Sequence, residues 1–273
     1  MVSKTERLYL ELLASGVVAF EDIVDKLSDI TGKSYDAKYV YSKYVGRLME
    51  EGKLVRIRRG LYAVVPPLEK PEEHLPDKFL VGSKIRERYY LGYHTALEFY
   101  GCAYSFFNEV YVVVGKSGRF DAFYYKNLRF RPVFSVDLNL DVEEKRYLNQ
   151  IIRVSSKERT FVDCVDRVEY AGGWEEALKS LQSLGGVHFD KIFNVLLIYR
   201  KDFLFRKVGF VLELLREASV FYKDLSVELL KDIKSRVGKN PMYLNLEKHG
   251  HFYYERDWNL YVPEDFKSLL RGV

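Results

Sequence analysis

The segment from Lys33 to Val65, KSYDAKYVYSKYVGRLMEEGKLVRIRRGLYAVV, combines a helical repeat with a short β-hairpin. Asp36 is suited to cap the start of a helix, and Gly52 is suited to end it. Four apolar positions between them recur at three- and four-residue spacing and should form one buried stripe: Ala37, Val40, Tyr44 and Leu48. Two apolar strands then flank a turn at Arg58-Arg59-Gly60. The segment therefore predicts an amphipathic helix followed by a hairpin with a basic tip.

Charge is distributed unevenly along this part of the chain. Between Lys33 and Arg59, eight Lys or Arg residues stand against three acidic residues, a local charge of +5. Between Lys4 and Asp29, three bases stand against six acids, a local charge of −3. Such a dipolar small domain would present one face to phosphate and leave the other to solvent or protein.

Two further helices are predicted upstream of this segment. Ser3 and Glu6 have the spacing of a capping box, and the first helix should run to about Ala14. A short strand is expected at Val17 and Val18, followed by a second helix from Phe20 to the Thr31-Gly32 step. Three helices followed by a two-stranded wing are typical of a winged helix-turn-helix, whose last helix enters the major groove of DNA.

The predicted winged helix-turn-helix yields a set of candidate contacts to double-stranded DNA. The third helix would face the major groove, and the wing arginines would hold phosphate or reach into the minor groove. The candidate residues are Lys33, Ser34, Tyr35, Lys38, Tyr39, Ser42, Lys43, Arg47, Arg56, Arg58 and Arg59. The alternative is that the basic face is an ordinary solvent-exposed surface that binds no DNA. That alternative predicts scattered basic residues, whereas here they gather on two adjacent elements.

Residues 69–76 contain prolines and acids and are predicted to be a linker. We therefore expect an α+β protein with a winged helix-turn-helix domain in residues 1–68 and a larger mixed α/β domain in residues 77–273. Because the linker has little apolar content, the two domains are expected to be separable.

The larger predicted domain begins with strands and ends with helices. Strands are expected at Val110 to Gly115, Leu128 to Val136 and Ile151 to Val154, and Ser155 with Glu158 should cap the helix that follows. Three more helices are predicted after Gly172-Gly173 by their apolar spacing. The tail from 241 to 262 should form two short strands around a turn.

Composition and motifs argue against several function classes. No apolar run reaches the roughly 18 to 20 residues that a membrane span needs, so a cytoplasmic protein without membrane contact is expected. Cys102 and Cys164 are the only cysteines, too few for a disulfide framework or a cysteine metal cluster. The pair His249 and His251 is a weak metal motif, and phosphate-binding or nucleophile loops are missing. We therefore expect no enzymatic activity, no metal and no cofactor.

Two alternatives to a DNA-binding regulator stay open. One is a metal-dependent nuclease of a defence system that the winged helix directs to DNA. The other is a protein-binding scaffold whose basic face serves only solubility.

Four segments resemble the AbiEi-type antitoxins and transcriptional regulators of phage-defence toxin–antitoxin systems. The similarity covers nearly the whole chain, and its most specific part is the ERT-hydrophobic-hydrophobic-Asp run after a strand. The segments are RIRRGLYAVVP (Arg56 to Pro66), YHTALEFYG (Tyr93 to Gly101), VSSKERTFVD (Val154 to Asp163) and the pair YLNL and WNLYV (Tyr243 to Leu246, Trp258 to Val262).

The resemblance implies an autorepressor that binds repeats in its own promoter, as a homodimer or cooperatively. It also implies an antitoxin of a type IV-like system that opposes a nucleotidyltransferase-like toxin encoded beside it. Arg159, Thr160 and Asp163 carry the family motif of the C-terminal domain, and they could contact a toxin or RNA. Arg159 and Asp163 are also four residues apart on a predicted helix, so we favour a mutual ion pair.

Overall fold

The computed structural model describes residues 3–245 and 250–270. Within these ranges the protein is a mixed α+β chain with three β-sheets. The chain forms two compact units. The first is built from Met1–Leu91, Asn108–Leu138 and Glu144–Arg153, and the second from Gly92–Phe107, Asn139–Glu143 and Val154–Val273. The predicted linker at 69–76 thus lies inside the first unit, and the predicted C-terminal domain contributes to both.

The first unit opens with helices and a small sheet. Its elements are α1 (Lys4–Leu13), β1 (Val17–Ala19), α2 (Phe20–Thr31), α3 (Ala37–Val40), α4 (Gly46–Glu50), β2 (Leu54–Arg58) and β3 (Leu61–Val64). A π-helical turn, Tyr41–Val45, joins α3 to α4, and we call the continuous helix from Ala37 to Glu50 the third helix. The three strands are antiparallel in the order β1-β3-β2.

The helix boundaries follow from local hydrogen bonding. Ser3 caps α1 by accepting a hydrogen bond from the amide of Glu6, and Asp36 caps the third helix by accepting from the amide of Lys38. Gly32 ends α2 with a φ of +65°, a conformation that costs glycine little. The Glu6 carboxylate binds Lys53 Nζ at 2.6 Å instead of completing the predicted capping box.

These helices and strands enclose a hydrophobic core of their own. Val40, Tyr44 and Leu48 of the predicted stripe are buried, together with residues of α1, α2 and the sheet. Ala37 is exposed because it opens the helix, beyond the reach of that core. Every buried member of this core lies between Leu8 and Val64.

A larger sheet takes its strands mainly from the first unit. After α5 (Lys78–Ser83) come β4 (Tyr89–Leu91), β5 (Glu109–Val114), β6 (Phe123–Tyr125), β7 (Leu128–Phe134), β8 (Val142–Tyr147) and β9 (Gln150–Ser155). Their order in the sheet is β6-β7-β5-β4-β9-β8. The strand β5 pairs parallel with β7 and antiparallel with β4, and its apolar run is buried throughout, as expected of a central strand. The predicted strands are observed within one or two residues.

The segment predicted as a linker is attached to its surroundings by hydrogen bonds. Lys126 Nζ donates to the carbonyl oxygens of Glu72, at 2.9 Å, and of His74. The Gln150 side chain likewise donates to the carbonyl of Val17, at 3.1 Å. Residues 1–68 therefore have a core of their own but also contact the rest of the first unit, so a fragment would lose these contacts.

The second unit is mainly helical. It contains α6 (His94–Phe99), α7 (Lys157–Asp166), α8 (Trp174–Gln182), α9 (Phe189–Tyr199), α10 (Asp202–Ala218) and α11 (Val227–Lys234). A three-stranded sheet follows, formed by β10 (Met242–Tyr243), β11 (Phe252–Glu255) and β12 (Leu260–Pro263). None of the helices in the described part of the chain has the length and apolar character that a membrane crossing requires.

Several details differ from the sequence prediction. The helices α5 and α11 and the strands β4, β6 and β8 were not predicted. The cap of α7 is Ser156, which accepts from the amide of Arg159, because Ser155 still belongs to β9. The tail contains β11 where only a turn was expected, although its three consecutive aromatic residues are typical of a strand. Leu246, at the end of the predicted YLNL strand, lies outside the described residues.

Gly209 in α10 provides a test of the packing in the second unit. A Cβ at this position would overlap the ring of Trp258, which is buried and donates its indole N–H to Glu213 at 2.7 Å. Gly209→Ala should therefore lower the free energy of unfolding by about 1–3 kcal/mol, because an overpacked core must shift. Chemical denaturation followed by circular dichroism measures the change.

Gly46→Ala is the matched control. Its Cβ would meet only Tyr41 O, at 3.4 Å, in ordinary van der Waals contact. Since alanine favours helix over glycine by roughly 1 kcal/mol, this variant should be neutral or more stable. Equal losses in both variants would contradict the packing described for Gly209.

Candidate nucleic-acid interface

The third helix exposes a continuous set of polar and basic side chains. Its apolar stripe is buried, so the opposite face points to solvent. We call the exposed set the basic helix face: Lys38, Tyr39, Ser42, Lys43 and Arg47. Lys33 and Ser34 are exposed in the loop that enters this helix. The structure thus brings these seven predicted residues to one helix and its entry loop.

The π-helical turn lies in the middle of the basic helix face. The amide of Gly46 bonds to the carbonyl of Tyr41, five residues earlier, which inserts one extra residue into the turn. Two consecutive residues of this turn, Tyr44 and Val45, are both buried in the core. The periodic apolar spacing in the sequence does not indicate this turn.

Three tyrosines form a cluster at the start of the third helix. The rings of Tyr35 and Tyr39 stack with centroids 5.5 Å apart, and Tyr39 meets Tyr44 edge-on at 6.1 Å. Burial raises the pKa of the Tyr44 hydroxyl. Tyr35 is half-buried, so it positions the entry loop and the Tyr39 ring, whereas Tyr39 is 45% exposed and accessible to a ligand.

Arg47 is engaged in a surface network of ion pairs. Its Nε lies 2.8 Å from Glu51 Oε1, and Glu51 also binds Lys53 at 2.9 Å. Hydrogen bonds from Arg47 and Lys53 lower the pKa of Glu51. The Arg47 side chain is 56% exposed, and such exposed pairs contribute at most about 1 kcal/mol. Arg47 could therefore exchange this partner for a phosphate at little cost.

The three wing arginines lie in different environments. Arg56 and Arg59 are exposed, and Gly60 completes the turn with a φ of +79°. Arg58 is half-buried, with its guanidinium 4.7 Å from the centre of the Phe123 ring. Burial and the like charge of Arg86 lower the pKa of Arg58. Arg56 and Arg59 are thus accessible to DNA, whereas Arg58 packs on the larger sheet.

The family-motif residues form a buried cluster in the second unit. Arg159, Thr160 and Asp163 are each at most 3% exposed. Arg159 Nε lies 3.3 Å from Asp163 Oδ2, so the predicted i,i+4 ion pair is present. Asp163 also accepts a hydrogen bond from the hydroxyl of Tyr199 at 2.5 Å. Burial raises the Asp163 pKa although Arg159 acts in the opposite direction.

The other members of this cluster tie α7 to neighbouring segments. Thr160 Oγ1 lies 2.7 Å from Ser155 Oγ at the end of β9. Arg159 donates through Nη1 to the carbonyl oxygen of Leu140. The motif therefore fixes the start of α7 against the preceding strand and the 139–143 segment.

The described residues contain no group of three or more His, Cys, Asp or Glu side chains placed to hold a metal ion. His249 of the weak sequence motif lies outside the described residues, and His251 is exposed. Cys102 and Cys164 are buried thiols, and burial raises the pKa of Cys102 to about 12.

A double-mutant cycle tests the structural role of the motif. Arg159→Met should lower the free energy of unfolding by roughly 3–5 kcal/mol, because it leaves the Asp163 carboxylate buried without its cationic partner. The double variant Arg159→Met/Asp163→Leu should recover part of this loss. Equilibrium denaturation measures all four proteins, and losses that simply add would contradict the coupling.

Comparison with known proteins shows the fold but not a family. No protein-family model matches the sequence, and no curated protein matches it. Among solved structures, the chain is similar to the crystal structure of the Rv2827c protein from Mycobacterium tuberculosis, with a TM-score of 0.65 and 14% sequence identity. The similarity covers 99% of this chain and 95% of that chain. The two proteins therefore share an α+β fold over nearly their whole length.

Proposed function

We propose that the protein is a DNA-binding transcriptional autorepressor and the antitoxin of a type IV-like toxin–antitoxin system. The observation that carries the DNA-binding part is the basic helix face, five exposed side chains on a helix whose opposite side is locked into a core. A rigid helix with one accessible polar face suits insertion into the major groove of DNA.

The arrangement around this helix supports a winged helix-turn-helix. The third helix follows α1 and α2, and the β2–β3 hairpin comes directly after it and pairs with β1 in one sheet. In this proposal the third helix enters the major groove and the hairpin turn lies along the phosphate backbone. The acidic helix α2 then stays away from the DNA, which matches the sign of its charge.

Individual residues receive different roles. Lys38, Ser42 and Lys43 can reach base edges from the basic helix face, and Tyr39 can contact bases or sugars. Arg47 and Arg59 are suited to phosphate, together with Lys33 in the entry loop. Arg58 is left out of this set, because its guanidinium lies over Phe123.

The antitoxin part of the proposal rests on the resemblance to the AbiEi-type family. In this proposal a nucleotidyltransferase-like toxin is encoded beside the gene, and repeats in the shared promoter bind the repressor as a homodimer or cooperatively. The motif Arg159, Thr160 and Asp163 is buried, so it would support the second unit and leave any direct toxin contact to exposed side chains.

Two single substitutions should distinguish base contacts from phosphate contacts. Lys43→Ala should weaken the free energy of binding to the DNA upstream of the protein's own gene by about 1–3 kcal/mol. It should also relax specificity at one base position. Arg59→Ala should weaken binding to all sequences and reduce the slope of log affinity against log salt by about one. Fluorescence anisotropy with labelled upstream DNA over a salt series measures both effects.

Lys4→Ala is the control for these variants. It removes one exposed positive charge from the same unit, at the start of α1, a helix that supplies none of the proposed contacts. Its affinity and salt slope should match those of the unchanged protein. If Lys43→Ala and Arg59→Ala also match it, the proposed interface is wrong.

Repression and toxin neutralisation should be separable by substitution in the full chain. The triple variant Lys38→Ala/Lys43→Ala/Arg59→Ala should lose promoter repression, measured with a reporter gene. Expressed from an unrelated promoter, it should still restore growth to cells that produce the neighbouring toxin. Loss of both activities in a folded triple variant would mean that protection depends on DNA binding.

A further inference from the structure

A cavity of about 580 Å³ opens within the first unit beside the hairpin turn. Four stretches of chain line it: the start of α2, the β2–β3 turn, the connection from α5 to β4, and β8 with β9. A volume of this size is typical of pockets that bind small molecules. The proposed DNA contacts on the third helix do not line the cavity, although Arg59 in the turn does.

Five cationic and four acidic residues line the cavity. Its cationic residues are Arg58, Arg59, Lys84, Arg86 and Arg153. Its acidic residues are Glu21, Asp22, Glu87 and Glu144. Lys84 Nζ pairs with Asp22 at 3.0 Å, and Asp22 also accepts from the amide of Ala19 at 2.8 Å. Lys84 and Asp22 therefore neutralise each other, and the cationic groups that we consider for a ligand are Arg58 and Arg86.

Arg86 is held in place by carbonyl groups. Its Nε donates to Gly118 O at 3.0 Å, its Nη1 to Ile85 O at 2.7 Å, and its Nη2 to Arg119 O at 3.0 Å. Carbonyl oxygens orient a guanidinium without cancelling its charge. A positive charge is thereby fixed in a residue that lines the cavity.

Arg58 also lines the cavity, and it carries an unsatisfied hydrogen-bond donor. Its Nη1 is buried and has no hydrogen-bond partner among the described residues. Burial and repulsion from the like charge of Arg86 lower the pKa of Arg58, and Asp121 opposes this only in part. A buried donor without a partner costs about 1–3 kcal/mol, so an anion at this point would relieve both the unmet hydrogen bond and the repulsion.

We propose that this cavity binds the phosphate group of a small molecule between Arg58 and Arg86. Guanidinium groups match phosphate oxygens with paired hydrogen bonds, and such bonds are strong where water is partly excluded. The side chains of Leu61, Ile85 and Tyr89 provide apolar surface for the remainder of the ligand.

The position of Arg58 gives binding a regulatory consequence, which rests on the proposed function. Arg58 adjoins Arg59 in the hairpin turn, so a bound phosphate places negative charge next to a proposed DNA contact. The ligand should therefore weaken promoter binding and reduce its dependence on Arg59.

Isothermal titration calorimetry of the full chain with pyrophosphate tests the site. Adenosine, which has no phosphate group, is the negative control. The unchanged protein should bind pyrophosphate saturably and adenosine not at all. Arg58→Gln should weaken pyrophosphate binding at least about tenfold, the loss expected for a charge-assisted hydrogen bond. Arg56→Gln removes the same charge from the same strand but lies outside the cavity, so it should bind as the unchanged protein does.

Absence of saturable pyrophosphate binding, or equal binding by Arg58→Gln and the unchanged protein, would overturn the site. So would equal weakening by Arg56→Gln, which would indicate unspecific attraction. If Arg58→Gln does not fold, Arg58→Lys retains the charge over Phe123 but loses the paired hydrogen bonds, and it should still weaken binding. The titration needs no DNA, so failure of the proposed DNA binding leaves this result independent.

Discussion

Burial of one side of the third helix is the constraint on which the proposed interface depends. Val40, Tyr44 and Leu48 are sealed into a core that α1, α2 and the three-stranded sheet close. Burying such side chains contributes about 1.5–3 kcal/mol each, which fixes the rotation of the helix about its axis. With that rotation fixed, Lys38 and Lys43 have only solvent, or a ligand, to face.

The hairpin turn shows how neighbouring residues of one type can serve different purposes. Arg59 is exposed while Arg58 rests on Phe123, and both border the cavity of the first unit. One arginine of this turn contacts the larger sheet, and the next belongs to the proposed DNA surface. The turn therefore connects the sheet to that surface. Because Arg58 and Arg59 are adjacent in the chain, a change of charge at one acts electrostatically on the other.

Buried ionic groups in the second unit belong to its architecture. Arg159 and Asp163 satisfy each other and the ends of neighbouring segments, with Tyr199 and Thr160 completing the hydrogen bonding. Removing charges from water is expensive, so such a cluster persists only when its members are paired. A sequence motif that is specific to a family can therefore mark a folding requirement without marking a reactive site.

The sequence by itself determined most helices and strands, the caps at Ser3 and Asp36, and the exposed basic residues of the third helix. These follow from spacing and from hydrogen bonds between residues close in the chain. Tertiary structure alone decided the π-helical turn, the burial of Arg58 and the membership of residues 69–76 in the first unit. Those outcomes depend on partners far along the chain, such as Phe123 and Lys126, and local periodicity carries no information about which distant side chain will be the partner.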